Sequence, residues 1–154
     1  VQRRAPFVTR VLVDPDGSRT VWAVVEIDGV FRSDDRGETW TPIGVKTRWR
    51  LPYARGLAVK PDDPRVVFAG CGETTTGETG GVLRSTDGGL TWRSLRLPIR
   101  PNATLWGLAT HPADAGARGL DALRLGLRHG GRRRVLAEDP ARVGEIRCGA
   151  WLPG

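Results

Sequence analysis

The chain is poor in the residues from which reactive centres and metal sites are usually assembled. It has no Met, one Tyr, two Cys and two His. Cys71 and Cys148 lack a CxxC partner and a His-rich neighbourhood, so their spacing points to no metal site and leaves a disulfide between them open. There is no GxSxG elbow, no Walker loop and no zinc spacing, and no cofactor is expected. No apolar run is long enough for a transmembrane helix, and no signal-peptide pattern is present. Only Lys46 and Lys60 among the 24 basic residues are Lys, and with abundant Arg, Ala, Gly and Pro this points to a GC-rich coding sequence.

What the chain does have is an internal repeat. Ser33 to Trp40 reads SDDRGETW and Ser85 to Trp92 reads STDGGLTW, both fitting Ser-x-Asp-x-Gly-x-Thr-Trp. The lead-ins match too, GVFRS from Gly29 and GVLRS from Gly81. The chemistry explains the spacing. Asp35 and Asp87 accept hydrogen bonds from main-chain N–H groups further along the turn, and Ser33 and Ser85 do so more weakly. Gly37 and Gly89 permit positive φ at little cost, and Thr39 and Thr91 open the returning strand with a β-branched residue. Trp40 and Trp92 are then expected to bury a large apolar face between neighbouring sheets.

These octets resemble the Asp-box (BNR) repeat of sialidase-like and related β-propellers, in the broad WD40, YVTN and BNR-like grouping. In that family the box joins the third and fourth strands of a blade and lies away from the ligand-binding face. The resemblance implies an all-β fold, a partial propeller of about three four-stranded blades. At 154 residues the chain is too short for a full ring, and it begins at Val1 in what reads as running sequence. A fragment of a longer propeller is therefore expected, needing missing blades or self-association to close, with poor solubility or oligomerisation when expressed alone.

The strand grammar supports this. Strands are expected at Val8 to Val13, Thr20 to Val25, Val30 to Ser33 and Trp40 to Ile43. The second unit repeats them at Ala54 to Val59, Arg65 to Ala69, Val82 to Ser85 and Trp92 to Leu95, and a third opens at Trp106 to Thr110. Blades are placed at about 7–46, 53–98 and 104–154 within one domain.

The third unit breaks the pattern. Ala115 to Val143 contains no Ser, Thr, Ile, Phe, Tyr or Trp, has a helical pattern around Leu120 to Leu127, and shows no box. Irregular structure or a short helix is expected there. Two readings stand, a genuine helical or disordered basic insertion and, favoured over it, a compensated frameshift. Read one base later, a permitted back-translation of Leu120 to Arg142 gives STLYGSVYVTEDGGESWRKIRRE. Its TEDGGESW begins 17 codons after Pro112, close to the 18 residues separating Pro15 and Ser33. An extra base near Ala117 and a lost one near Val143 restore the repeat, with recognisable sequence resuming at Gly144 to Arg147.

Net charge is +7, of which Ala115 to Val143 carries +4 through seven Arg against Asp121, Glu138 and Asp139. Arg132 to Arg134 is the only nucleic-acid-like patch, and nucleic acid ranks last among partners. A sialidase-type enzyme needs an Arg cluster, a Tyr with a Glu partner and an Asp acid/base. Trp49-Arg50-Leu51-Pro52 only faintly resembles the family's Arg element and follows a box rather than preceding one. Tyr53 reads as a packing residue at a strand entry, Trp22 and Trp106 as strand packing, and His111 and His129 point to no site. No catalytic residue is assigned. Candidate ligand contacts are Trp49 and Arg50, with Glu73 and Glu78 in the polar loop Gly70 to Gly81. The expected function is a non-catalytic scaffold binding a protein or glycan through loops opposite the boxes. The alternative is a fragment of a sialidase-like glycoside hydrolase.

Overall fold

β-Branched and aromatic runs punctuated by Asp-Pro and Gly turns build two four-stranded antiparallel sheets and one three-stranded sheet. The computed structural model describes residues 8–26, 28–43, 49–75, 77–97, 101, 103–110, 123–129 and 132–136. The first sheet runs in chain order through β1 (Val8–Val13), β2 (Val21–Val25), β3 (Gly29–Ser33) and β4 (Thr41–Pro42). The second does the same through β5 (Tyr53–Lys60), β6 (Asp63–Gly72), β7 (Gly80–Ser85) and β8 (Arg93–Ser94). The third contains β9 (Leu105–Thr110), β10 (Leu123–His129) and β11 (Arg132–Leu136), with β10 in the middle. This blade-like, all-β arrangement is the one the repeats imply.

The Ala115 to Val143 segment departs from expectation. Leu123–His129 and Arg132–Leu136 form an antiparallel hairpin, and β10 also pairs with β9 from Leu123 against Thr110 to Leu127 against Leu105. A local helical spacing gives way because the free edge of β9 offers a ladder of hydrogen bonds that a short helix has no means to satisfy. Arg132 to Arg134 accordingly lie in a strand. The remainder of the segment, with Cys148, Trp151, His111 and the strand expected at Gly144 to Arg147, falls outside the described residues.

Period-two alternation on β6 explains how the sheets stack. Val67, Ala69 and Cys71 face the first sheet, in a cluster with Trp22, Val24, Val30 and Leu57. Val66 and Phe68 face the third, with Val82, Leu105 and Leu108. A strand buried on both sides reads as the near-continuous apolar run VVFAGC. The second joint depends on absent side chains: a Cβ at Gly72 would overlap Thr104, and one at Gly80 would overlap the Ala103 carbonyl. Thr104 is buried there, its hydroxyl donating to the Thr74 carbonyl at 2.5 Å. Cys71 is a free, fully buried thiol whose pKa burial pushes up.

The fourth strands are shorter than expected, two residues each. Trp40 and Trp92 do not enter them, because each indole turns back on its own box.

Candidate functional site

The two boxes make the same bonds. Ser33 Oγ donates to Asp35 Oδ1 (2.6 Å) and accepts the Gly37 N–H (2.7 Å). Asp35 Oδ1 accepts the Thr39 N–H (2.9 Å), and Oδ2 accepts the Thr39 hydroxyl (2.5 Å). The second box repeats this with Ser85, Asp87, Gly89 and Thr91 at 2.7, 2.8, 2.9 and 2.5 Å. Trp40 and Trp92 donate Nε1–H to the carbonyls of Gly37 and Gly89. The Ser33 hydroxyl, then Thr39, hold the Asp35 carboxyl well below the usual carboxylate range. Burial raises the Asp87 pKa, but bonds from Thr91, Ser85 and Leu90 outweigh it and bring it down to about 2. Carboxylates committed this way stabilise the turn.

Register places the boxes at one end of the sheets. Val21 pairs with Ser33 and Val67 with Ser85, at the ends of β3 and β7 from which the boxes leave. Val25 pairs with Gly29, and Tyr53 and Gly80 both pair with Gly72, at the opposite end. At that box-distal end each first strand carries a β-bulge in the same place, between Val8 and Arg10, between Ala54 and Gly56, and opposite Gly126/Leu127. The residues left out of register are Thr9, Arg55 and Trp106. A bulge re-aims its side chain, and here all three sheets use one.

Two of these residues meet. The Arg55 guanidinium lies 4.2 Å from the centroid of Trp106, a cation–π contact across the second joint. Arg55 Nη1 also donates to Tyr53 Oη (3.1 Å) and pairs with Glu26 Oε1 (3.3 Å), while Tyr53 donates its phenol to the same oxygen (2.8 Å). Glu26 follows β2, Tyr53 and Arg55 open β5, and Trp106 opens β9, so three successive sheets contribute. The Arg55 and Glu26 side chains are only 18% and 12% exposed, which makes this a largely desolvated pair. Burial, then the bond to Glu26, raises the Tyr53 pKa.

The candidate ligand residues fall in different places. Trp49 packs edge-on against Trp92, centroids 5.1 Å apart, and sits against the core of the first joint. Arg50 is exposed just before β5. Glu73 and Glu78 are exposed in the loop between β6 and β7, at the box-distal end with Tyr53. The cluster of Glu26, Arg55 and Trp106 escaped the sequence reading because a bulge leaves no compositional mark. The available signal was a Glu ending one strand and an Arg opening the next blade's first strand. Among the described residues no group of three or more His, Cys, Asp or Glu is placed to hold a metal ion, and no helix is long and apolar enough to cross a membrane.

Comparison with known proteins identifies the repeat. The BNR/Asp-box repeat model matches residues 31–42. A xyloglucanase of Paenibacillus sp is 29% identical over 107 residues, covering 66% of this chain and 10% of the relative. The xyloglucanase Xgh74A of Acetivibrio thermocellus is 28% identical over 120 residues, 70% of this chain and 14% of its own length. The solved GH74 xyloglucanase of Xanthomonas campestris superposes with a TM-score of 0.63 at 25% identity, over 90% of this chain and 20% of that one. The chain thus spans 10–14% of the length of these curated relatives. The finding overturns the expected non-catalytic scaffold: the relatives are glycoside hydrolases acting on xyloglucan. The physical reason is that an Asp box wires a hairpin in enzymes and scaffolds alike and says nothing of the opposite face. The chain carries BNR/Asp-box repeats in blade-like sheets that match part of a GH74 xyloglucanase propeller.

Proposed function

We propose that this chain is the propeller portion of a glycoside hydrolase acting on xyloglucan, contributing about three blades at 7–46, 53–98 and 104–154. The observation that carries the reading is the superposition of its sheets on a GH74 xyloglucanase, in company with curated relatives that are themselves xyloglucanases. The box-distal end supplies the substrate face. Glu26, Tyr53, Arg55 and Trp106 stand together at that end. Exposed Glu73 and Glu78 rim the same end, with Arg50 at the entry to β5. Trp49 serves the joint with Trp92.

Glycoside hydrolysis needs two carboxyl groups flanking the bond. Glu26 is engaged by Arg55 and Tyr53, and the reacting pair is not assigned to it. The test is release of reducing ends from xyloglucan, an unbranched β-glucan and sialosides by the protein that contains this chain. Activity on xyloglucan is expected; activity on sialosides alone, or on none of them, overturns the proposal.

A further inference from the structure

We infer that Arg84 is the donor half of a second inter-sheet lock, and that its partner is the main-chain carbonyl of the fourth residue of a third Asp box, carried by the sheet that follows the second. The inference concerns how the sheets are joined and does not rest on the substrate reading.

The first joint supplies the pattern. Trp22 and Arg32 are cross-strand partners on β2 and β3 and share one face. Both reach the fourth residue of the second box, where the Gly88 carbonyl accepts Trp22 Nε1 at 3.1 Å and Arg32 Nη1 at 2.8 Å. One sheet further on, Phe68 and Arg84 hold the same places, paired across β6 and β7. Arg84 directly precedes Ser85 as Arg32 precedes Ser33. Phe68 packs with Leu105 and Leu108, so this face looks toward the third sheet. A phenyl ring has no N–H to give, which leaves Arg84 as the one side chain of the pair able to donate to a carbonyl there.

Arg84 lacks an acceptor. Its Nε is buried and makes no hydrogen bond among the described residues. The first sheet leaves no such gap, because Asp34 accepts Arg32 Nε at 2.9 Å and Nη2 at 2.7 Å. The second box has Thr86 in the place of Asp34. Buried donors in folded proteins are nearly always paired, so an orphan on the face that locks the preceding joint calls for the acceptor used there. The chain as translated has no third box to supply it. The shifted frame writes one, TEDGGESW, whose fourth residue is Gly, as in the second box. That Gly permits the positive φ of 73° that Gly88 adopts in offering its carbonyl. Packing and codons thus point independently to the same missing turn.

Resequencing the coding DNA from the codon of Asp114 to that of Gly144 is the first test. An extra base at the start and a lost one at the end are expected, and bases that stand as translated overturn the inference. The second test compares Arg32→Met and Arg84→Met by thermal melting, in the full chain as translated and in the full chain with its frame restored. Arg32→Met should lower the melting temperature of both by at least about 3 °C, since both contain its acceptor. Arg84→Met should do so only with the frame restored. In the chain as translated it removes a buried donor that has nothing to bind, and should leave the melting temperature level or raise it. A change of the same sign and size in the two chains overturns the inference. If the chain as translated does not fold, hydrogen exchange of the frame-restored protein decides. Arg84→Met should then speed exchange in the TEDGGESW peptide by at least about tenfold and leave the second box unchanged. Equal effects on the two boxes, or none, overturn the inference.

Discussion

The two Asp boxes have the same internal hydrogen bonds and opposite surroundings. In the second, the Gly88 carbonyl receives Trp22 Nε1 at 3.1 Å and Arg32 Nη1 at 2.8 Å from the first sheet, and Trp92 packs on Trp49. In the first, Trp40 is 41% exposed, as are Val11 and Val13 of β1. The position filled by Gly88 in one box is Arg36 in the other, with φ of 73° and 66° respectively. The octet therefore encodes a turn, and the neighbouring sheet decides whether that turn becomes a joint.

The sharpest test exchanges a joint residue for a box residue. Trp22→Ala removes a fully buried ring and its bond to Gly88, and should cost about 3–5 kcal/mol in urea unfolding. Trp40→Ala should cost less than about 1 kcal/mol. Similar losses for both would break the comparison.

Next come the left-handed positions. Gly88→Ala forces a side chain into positive φ and its Cβ to within 2.5 Å of Arg32 Nη1, so a loss of about 1–2 kcal/mol is expected. The matching change in the first box, Arg36→Gly, should stabilise by up to about 1 kcal/mol, because it relieves the same backbone cost with no bond to lose at that carbonyl among the described residues. A melting temperature that moves the same way in both variants would refute this reading.

The smallest effect is in acid. A carboxyl whose folded pKa lies below its unfolded value stabilises above the unfolded value, and the contribution fades as pH falls through the folded one. Asp87 should contribute fully above about pH 4 and lose its contribution on the way to pH 2. Thermal melts of Asp87→Asn should show a shallower acid limb than the wild type, while an unchanged limb would show the box carboxylate to be uncoupled from folding.

Much of this was legible in residue types because it is local. The octets, the strand starts at Val8 and near Gly29, and the Asp-Pro turns each depend on contacts a few residues apart, and an Asp four residues before a Thr can reach it in one geometry only. Non-local features were hidden. The helical spacing expected around Leu120 to Leu127 lost, over Leu123 to Leu127, to pairing with β9, and Trp40 and Trp92, identical in motif, differ in burial because among the described residues only Trp92 has a neighbouring sheet's side packed on it.

By itself, then, the sequence determined the Asp-box hairpins and the all-β class, since alternation and turn chemistry act over a few residues. Tertiary structure alone decided the box-distal cluster. Glu26, Tyr53, Arg55 and Trp106 come from three sheets and are brought together by repeated bulges and by glycines that let backbones approach. No one-dimensional pattern records a meeting of residues so far apart in the chain.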